Sequence, residues 1–346
     1  MNAPIDPTET TPAAEPADTL RSALAGLLDG LPPTQAARAV DRLIANYRGT
    51  TPTGAPILRD RADVAAYAAY RMPATFEAVR SALGALRDAA PADWAPAGHV
   101  DIGGGTGAAV WAARATLPGV RPTTVLDWSE PALALGRELA DADRRLAESV
   151  RWERARIGAA QELPATDLVT ISYVLKELTD ADRAAVVDAA ARAAHPGHGA
   201  VVVVEPGTPD GYTRIIEARD RLIAAGFHIA APCPHSGPCP IAPGEDWCHF
   251  SVRVSRSSLH RQVKGGSLAY EDEKFSYVAA TRFRPAPAAA RVIRRPQLRK
   301  GQVLLDLCVA EGGLARTTVT KKHGALYKEA RDADWGDPWA GRGQQV

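Results

Sequence analysis

The sequence predicts an α/β protein with a Rossmann-like, doubly wound parallel sheet, a helical N-terminal region and a cysteine-containing, β-rich, basic C-terminal region. Two observations predict the sheet. A strand runs into a glycine turn at residues 99–107, and strands then alternate with helices of about 10–15 residues, the pattern of parallel sheets. A third observation separates the C-terminal region: the alternation stops beyond Gly226, where prolines, glycines and cysteines become frequent.

The N-terminal region comes first in the chain. Apolar residues recur at helical spacing over 19–47 and 60–90, and a break is expected at Met72-Pro73 because proline has no amide hydrogen. Residues 19–90 are therefore predicted to be helical, behind a disordered tail at 1–18 that contains no Lys or Arg. Such a tail matches neither a secretory signal nor a transit peptide, so we expect a cytoplasmic protein.

The sheet follows over a predicted domain of residues 91–230. Its buried strands are short apolar runs, and its helices lie between them, as a doubly wound topology requires. We expect strands before the glycine turn and at 123–126, 168–171 and 200–205, with helices at 108–117, from 131, at 180–194 and at 212–225.

The C-terminal region, residues 231–325, is predicted to carry β-strands at 274–283, 302–309 and 314–320, followed by a tail at 326–346. Residues 251–346 contain 18 Lys and Arg against 9 Asp and Glu, whereas residues 1–250 contain 23 against 31. The basic part therefore suits a polyanionic partner, and the acidic part does not.

The glycine turn predicts a ligand. Asp101, Gly103, Gly105 and Gly107 form the pattern acid-x-Gly-x-Gly-x-Gly, and Asp127 follows at the end of the next strand. A dinucleotide site has the spacing G-x-G-x-x-G, which differs. The pattern favours a methyltransferase sheet that binds S-adenosylmethionine, with Asp101 directed to the methionine amino group and Asp127 accepting both ribose hydroxyls. No catalytic residue is identified, since residues 172–177 lack the Asn/Asp-Pro-Pro-aromatic pattern of amino-methylating enzymes.

The chain has four cysteines, spaced C-x5-C-x8-C-x59-C. Zinc sites usually present pairs of C-x2-4-C, which are absent from this sequence, and iron–sulfur clusters accept wider spacing. The residues alone leave three interpretations open: a cluster, a zinc site that includes neighbouring histidines, or unligated thiols. The residues concerned are Cys233, Cys239, Cys248 and Cys308, with His235 and His249 beside them.

Several segments resemble a known family. Pro-Cys-Pro-His at 232–235, Asp-Trp-Cys-His-Phe at 246–250 and Tyr-Glu-Asp-Glu-Lys-Phe-Ser-Tyr at 270–277 resemble the mitochondrial and bacterial small-ribosomal-subunit methyltransferase-like assembly proteins. Tyr-Arg-Met-Pro-Ala-Thr-Phe at 70–76 and the segment from 294 to 308 fit the same family.

The resemblance implies an S-adenosylmethionine-binding fold, association with small-subunit ribosomal RNA (rRNA) in assembly or translation, and a 4Fe-4S cluster on the four cysteines. It does not establish rRNA methylation, since some members act without a settled methyl acceptor. We expect a bacterial, cytoplasmic member of the family that is monomeric and not bound to a membrane. The alternative function is a small-molecule methyltransferase with a structural zinc ion and no RNA affinity.

Two basic segments are expected to bind the rRNA, because phosphate contacts from Lys and Arg provide most non-specific affinity. They flank the predicted strand at 274–283. The residues are Arg253, Arg256, Arg261 and Lys264 in the first segment, and Arg294, Arg295, Arg299 and Lys300 in the second.

Overall fold

The computed structural model of the protein describes residues 15–27, 38, 40, 61–158, 162–256 and 268–341. No helix in these ranges is long and apolar enough to cross a membrane. The helices are α1 (Pro16–Gly26), α2 (Arg61–Ala89), α3 (Ala108–Thr116), α4 (Glu130–Ala140), α5 (Arg144–Ser149), α6 (Asp180–Ala193), α7 (Pro209–Ala224) and α8 (Ala325–Asp332). The strands are β1 (His99–Ile102), β2 (Thr123–Asp127), β3 (Val150–Arg154), β4 (Leu168–Ser172), β5 (Ala200–Pro206), β6 (His228–Ala231), β7 (Phe250–Ser255), β8 (Tyr270–Thr281), β9 (Ala290–Val292), β10 (Gln297–Arg299), β11 (Gln302–Val309), β12 (Leu314–Thr320) and β13 (Pro338–Trp339).

The central sheet has the strand order β3-β2-β1-β4-β5-β8-β6, and β7 pairs with β8. Strands β1 to β5 are parallel to one another, while β8 runs antiparallel between β5 and β6. This arrangement confirms the predicted Rossmann-like α/β fold. It also corrects the assignment of residues 274–283 to a separate C-terminal region, because β8 is an interior strand and the sheet continues past the predicted boundary at residue 230.

Strand β5 shows why the sheet is covered on both faces. Its valines are fully buried, and they alternate between the two sides of the sheet. Val202 and Val204 pack in the same core as residues of α2 and α3, whereas Val201 and Val203 pack with residues of α6 and α7. Each buried valine stabilises the fold by about 1.5–3 kcal/mol relative to exposure.

Helix α2 is continuous through Pro73, so the expected break at Met72-Pro73 is wrong. Met72, Ala74 and Phe76 are all buried on this helix, each 3% exposed or less. The apolar contacts on both sides of the proline compensate for the backbone hydrogen bond that the proline ring removes.

A second sheet has the order β10-β11-β9-β13, with β12 pairing with β11. Its core includes Val292, Leu305 and Trp339, and Ala330 of α8 packs there too. The prediction of a tail at 326–346 is therefore wrong as far as residue 341, because α8 and β13 belong to this unit. The C-terminal region is β-rich, as predicted.

Candidate functional site

The glycine turn lies at the carboxyl end of β1, where β1 leads into α3. Gly103, Gly105 and Gly107 have positive φ angles of 68°, 53° and 84°, a region that favours glycine. A Cβ atom at Gly103 would lie 2.6 Å from Val174, and one at Gly107 would lie 2.6 Å from Trp152. Packing within the protein therefore requires glycine at these two positions, whether or not a ligand is bound.

Gly105 differs from its neighbours. Of the described residues, a Cβ atom here would approach only Asp127, at 3.8 Å from Oδ2. The Asp127 carboxylate accepts hydrogen bonds from the backbone amides of Gly105 (2.9 Å) and Ser129 (2.8 Å), one on each oxygen. Each oxygen keeps a lone pair, so Asp127 can still accept two hydroxyl groups.

Trp128 follows Asp127 at the same edge of the sheet, and no sequence pattern singled it out. It is 50% exposed, unusually so for a tryptophan. The guanidinium of Arg154 lies 4.8 Å from its ring centroid. The ring offers a planar apolar surface beside the glycine turn.

Asp101 lies beneath the glycine turn and is fully buried. Its Oδ1 atom accepts a hydrogen bond of 2.7 Å from the Thr170 hydroxyl. That hydroxyl lies 2.7 Å from Nε2 of His99, which therefore donates to it. The Asp101 Oδ2 atom has no hydrogen-bond partner among the described residues. Burial raises the pKa of Asp101 to about 7, so the carboxyl group is partly protonated at neutral pH.

Helix α2, the residue after β4 and strand β8 meet beside the turn, where they bring together Arg71, Tyr173 and Glu273. The Nη1 and Nη2 atoms of Arg71 donate to the Glu273 carboxylate at 2.9 and 2.7 Å, and the Tyr173 hydroxyl donates to it at 3.0 Å. Tyr173 has a positive φ of 58°, a strained conformation for a non-glycine residue. Burial and the Glu273 carboxylate raise the pKa of Tyr173 well above its ordinary value. The phenol is therefore neutral and does not act as a base at this edge.

Glu177 stands at the same edge, in a short 3-10 helix at Leu175–Glu177. The sequence pattern of residues 172–177 identified no catalytic residue here. Reduced solvation raises the pKa of Glu177 to about 7, and the Asp127 and Glu205 carboxylates add to the effect. Glu177 is nevertheless exposed at the surface. A carboxyl group with this pKa is suited to proton transfer at neutral pH.

The four cysteines line one cavity between the central sheet and the second sheet. Cys233 and Cys239 lie in the loop after β6, Cys248 precedes β7, and Cys308 is on β11. Burial, followed by the neighbouring thiols, raises the pKa of Cys308 to about 12 and the pKa of Cys248 well above its ordinary value. These thiols are therefore neutral unless a metal displaces their protons.

The positions of the cysteine sulfurs can be compared with those of a single-ion site. Of the residues that the structure describes, no three cysteines bring their sulfurs within 4.8 Å of one another; the set that does meet this limit is Asp167, His195 and His198, at the opposite edge of the sheet. Tetrahedral zinc with bonds of about 2.3 Å would hold thiolates about 3.8 Å apart. The thiols, as placed, are therefore not gathered around a single ion.

The histidines take different positions. His235 approaches Cys308, with Nε2 3.6 Å from the sulfur. His249 instead stacks on Trp247 at 5.3 Å between ring centroids. Tyr212 donates its hydroxyl to the Ile241 carbonyl at 2.7 Å and lies 3.3 Å from the Cys239 sulfur.

The predicted RNA-binding residues separate into two kinds. Arg253, Arg256 and Arg294 are engaged with Asp272, Glu271 and Asp246, and the Arg256 side chain is only 13% exposed. Arg295, Arg299 and Lys300 are exposed. Arg261 and Lys264 lie outside the described residues.

Two further lysines join this surface. Lys321 donates its backbone amide to the Gly301 carbonyl at 3.1 Å, because β12 ends beside the turn that connects β10 to β11. Lys322 is exposed as well. Neither lysine was marked by a sequence pattern, since their proximity to the other two cations follows from strand pairing. The basic end of the second sheet therefore consists of Arg299, Lys300, Lys321 and Lys322.

Comparisons with known proteins give a family and several relatives. The family model described as mitochondrial small ribosomal subunit Rsm22 matches residues 61–340. The human protein named ribosome assembly protein METTL17, mitochondrial, is 31% identical over 296 residues, covering 78% of this chain and 61% of that protein. The Rsm22-cox11 tandem protein 2, mitochondrial, of Schizosaccharomyces pombe is 28% identical over 184 residues, covering 40% and 24%. This chain thus spans less than two thirds of either relative.

These names contradict one prediction. The family and both of these relatives are described as mitochondrial, so the expectation of a cytoplasmic protein, which relied on the composition of the first 18 residues, is wrong.

Solved structures of methyltransferases are distant matches. An O-methyltransferase family protein from Burkholderia thailandensis is 17% identical with a TM-score of 0.41, covering 64% of this chain and 69% of that one. The precorrin-6y C5,15-methyltransferase of Geobacter metallireducens is 18% identical with a TM-score of 0.36, covering 59% and 85%.

Proposed function

This chain belongs to the mitochondrial small ribosomal subunit Rsm22 family, and from that premise we propose that it is an assembly factor of the small ribosomal subunit. In this proposal the central sheet binds S-adenosylmethionine, the cysteines hold a 4Fe-4S cluster, and the basic end contacts small-subunit rRNA. The observation that carries the proposal is that one strand, β11, joins the last two sites. It starts at Gln302, paired with Arg299 of the basic end, and contains Cys308 near its other end.

The glycine turn supports binding of S-adenosylmethionine. The open side of Gly105 faces Asp127, whose two free lone pairs suit the two ribose hydroxyls, and the exposed ring of Trp128 provides a surface on which an adenine can stack. We assign Asp101 to the methionine amino group. An ammonium group above the turn favours the ionised carboxylate that burial otherwise disfavours.

The cysteine cavity fits an iron–sulfur cluster. Four thiols converge on it from the loop after β6, the segment before β7, and β11, and no three of these described sulfurs lie within 4.8 Å of one another. Cys233, Cys239, Cys248 and Cys308 would ligate the cluster, which would supply a one-electron centre and a bond network between the two sheets. The alternative, a small-molecule methyltransferase with a structural zinc ion, would require the thiols to close around a single ion.

Methyl transfer to small-subunit rRNA is the second candidate function. Glu177 favours it, because an exposed carboxyl group with a pKa of about 7 beside the glycine turn suits a general base. The test is labelled methyl transfer to precursor small subunits. A rate of transfer that falls at least tenfold in Glu177→Gln supports this function. An unchanged rate in the variant shows that Glu177 is not the general base.

Association with the small subunit tests the main proposal. The holoprotein, purified without oxygen, should co-sediment with precursor small subunits at low salt and dissociate as salt is raised, because phosphate contacts are screened. Replacing the four cations of the basic end by Gln should abolish co-sedimentation. Arg87→Gln with Arg144→Gln, which change exposed, ion-paired arginines elsewhere, should leave it intact. Absence of co-sedimentation by the wild type at low salt would contradict the proposal.

A further inference from the structure

Two arginines are buried against the cysteine cavity. Arg219 of α7 is 1% exposed and Arg291 of β9 is 7% exposed, and both line the cavity. A buried guanidinium remains charged because its pKa is above about 12, and a buried charge is costly unless an opposite charge lies nearby. The structure therefore has to provide negative charge at this place.

The partners of Arg219 provide little of it. Its Nη2 atom donates to the carbonyl oxygens of Gly237 (2.6 Å) and His235 (3.2 Å). Its Nη1 atom lies 3.3 Å from the Asp220 carboxylate, whose side chain is 65% exposed and therefore well screened by water. The buried Nε atom has no hydrogen-bond partner among the described residues.

Arg291 has less compensation still. Its Nε atom donates to the Pro232 carbonyl and its Nη1 atom to the Gly336 carbonyl, each at 3.0 Å. Of the described residues, none places a carboxylate within 4.0 Å of it to form an ion pair. Strand pairing sets Arg291 opposite Cys308, so this charge is fixed beside a cysteine.

The two arginines also hold the loop that carries the first cysteines. Arg291 binds the carbonyl immediately before Cys233, and Arg219 binds two carbonyls between Cys233 and Cys239. The two side chains that bring positive charge to the cavity therefore also hold the loop that would provide two of the four ligands. Four neutral thiols leave these two charges uncompensated, whereas four thiolates around a doubly positive 4Fe-4S core carry a net charge of about minus two.

We propose that Arg219 and Arg291 are the counter-charges of the cysteine site, which favour assembly of a doubly negative four-thiolate centre and raise its reduction potential. This inference rests on the cluster proposed above. On reduction, one electron from a donor such as dithionite enters the cluster core, no bond forms or breaks, and the net charge becomes about minus three. Nearby cations stabilise the more negative state, so their removal disfavours reduction.

The experiment is a reductive titration of the anaerobically purified full chain with dithionite, followed by absorption and electron paramagnetic resonance, after assays of iron and sulfide. Arg219→Gln and Arg291→Gln are compared with Arg219→Lys and Arg291→Lys, which keep the charge. The matched control is Arg221→Gln on the same helix, where the guanidinium pairs with Asp188 on the surface.

We expect each Gln variant to lower the ratio of reduced to oxidised cluster at least tenfold at a fixed potential, equivalent to about 59 mV for a one-electron couple. The Lys variants and the control should stay within threefold of the wild type. If a Gln variant loses its cluster altogether while the corresponding Lys variant keeps it, the requirement for charge is likewise supported.

Three results would overturn the inference. If the wild type contains no iron and sulfide, both the proposed cluster and the proposed counter-charge role of the arginines are wrong. If the wild type contains a cluster and the Gln variants have an unchanged reduction potential, the counter-charge role is wrong, and the proposed function is unaffected. Equal loss of the cluster in the Gln and Lys variants shows that hydrogen-bond geometry, and not charge, is what the arginines supply.

Discussion

Replacing Asp101 by Asn should change how the stability of the protein depends on pH. Burial raises the pKa of Asp101 from the ordinary 3.8 to about 7, so the folded state retains a proton that the unfolded state has already lost. The free energy of unfolding therefore falls as pH rises from about 4 to about 7, by up to about 4 kcal/mol from this group. Asparagine is neutral throughout, so the variant lacks this decrease.

The assay is urea unfolding of both proteins at intervals from pH 5 to pH 8. The amide of Asn adds a constant offset, so the readout is the difference between the wild type and the variant as a function of pH. We expect the variant to gain about 2 kcal/mol or more relative to the wild type over this range. Asp88→Asn, at a side chain that is 68% exposed, should show no such gain. Parallel pH profiles for the wild type and Asp101→Asn would show that burial does not raise the pKa of Asp101.

Three further predictions concern other parts of the molecule. Changing all four residues of the basic end to Gln should reduce the magnitude of the negative slope of log affinity for RNA against log salt by about 3–4, as measured by fluorescence polarisation. The double control with Arg87→Gln and Arg144→Gln should keep the wild-type slope. Gly105→Asn should abolish binding of S-adenosylmethionine in calorimetry without unfolding the chain, because Asn tolerates a positive φ and its side chain enters the open space; normal binding would place the ligand elsewhere. Glu273→Gln should lower the free energy of unfolding by about 2 kcal/mol, less than for a fully buried pair because Arg71 is 28% exposed; a loss below about 0.5 kcal/mol would show that the pair is screened.

The elements of the sheet were predictable because their signals are local. The run of valines in β5 predicts a buried strand, and the glycine turn after β1 predicts a strand-to-helix connection, each from only a few residues. The position of β8 was not predictable, because an antiparallel partner between β5 and β6 is chosen by long-range pairing. The continuity of α2 through Pro73 likewise depends on residues packed around it from other elements.

The candidate site shows the same division. The four cysteines were found from sequence, but their convergence on one cavity from three separate segments follows from the fold and not from their spacing along the chain. Arginine is usually a surface residue, so nothing marked Arg219 and Arg291 as buried. Likewise, nothing in the sequence indicated that Arg256, which was expected to bind RNA, lies largely buried beside Glu271.

The most direct test of the account is whether the cluster and RNA binding are lost together. Wild type and Cys239→Ser, purified without oxygen, are assayed for iron and sulfide and for salt-dependent co-sedimentation with precursor small subunits. Because β11 joins Cys308 to the basic end, we predict that the wild type contains about four irons and four sulfides per chain and binds, and that the variant loses both properties while remaining folded. A variant that has lost its cluster and still binds with the affinity of the wild type would contradict the account.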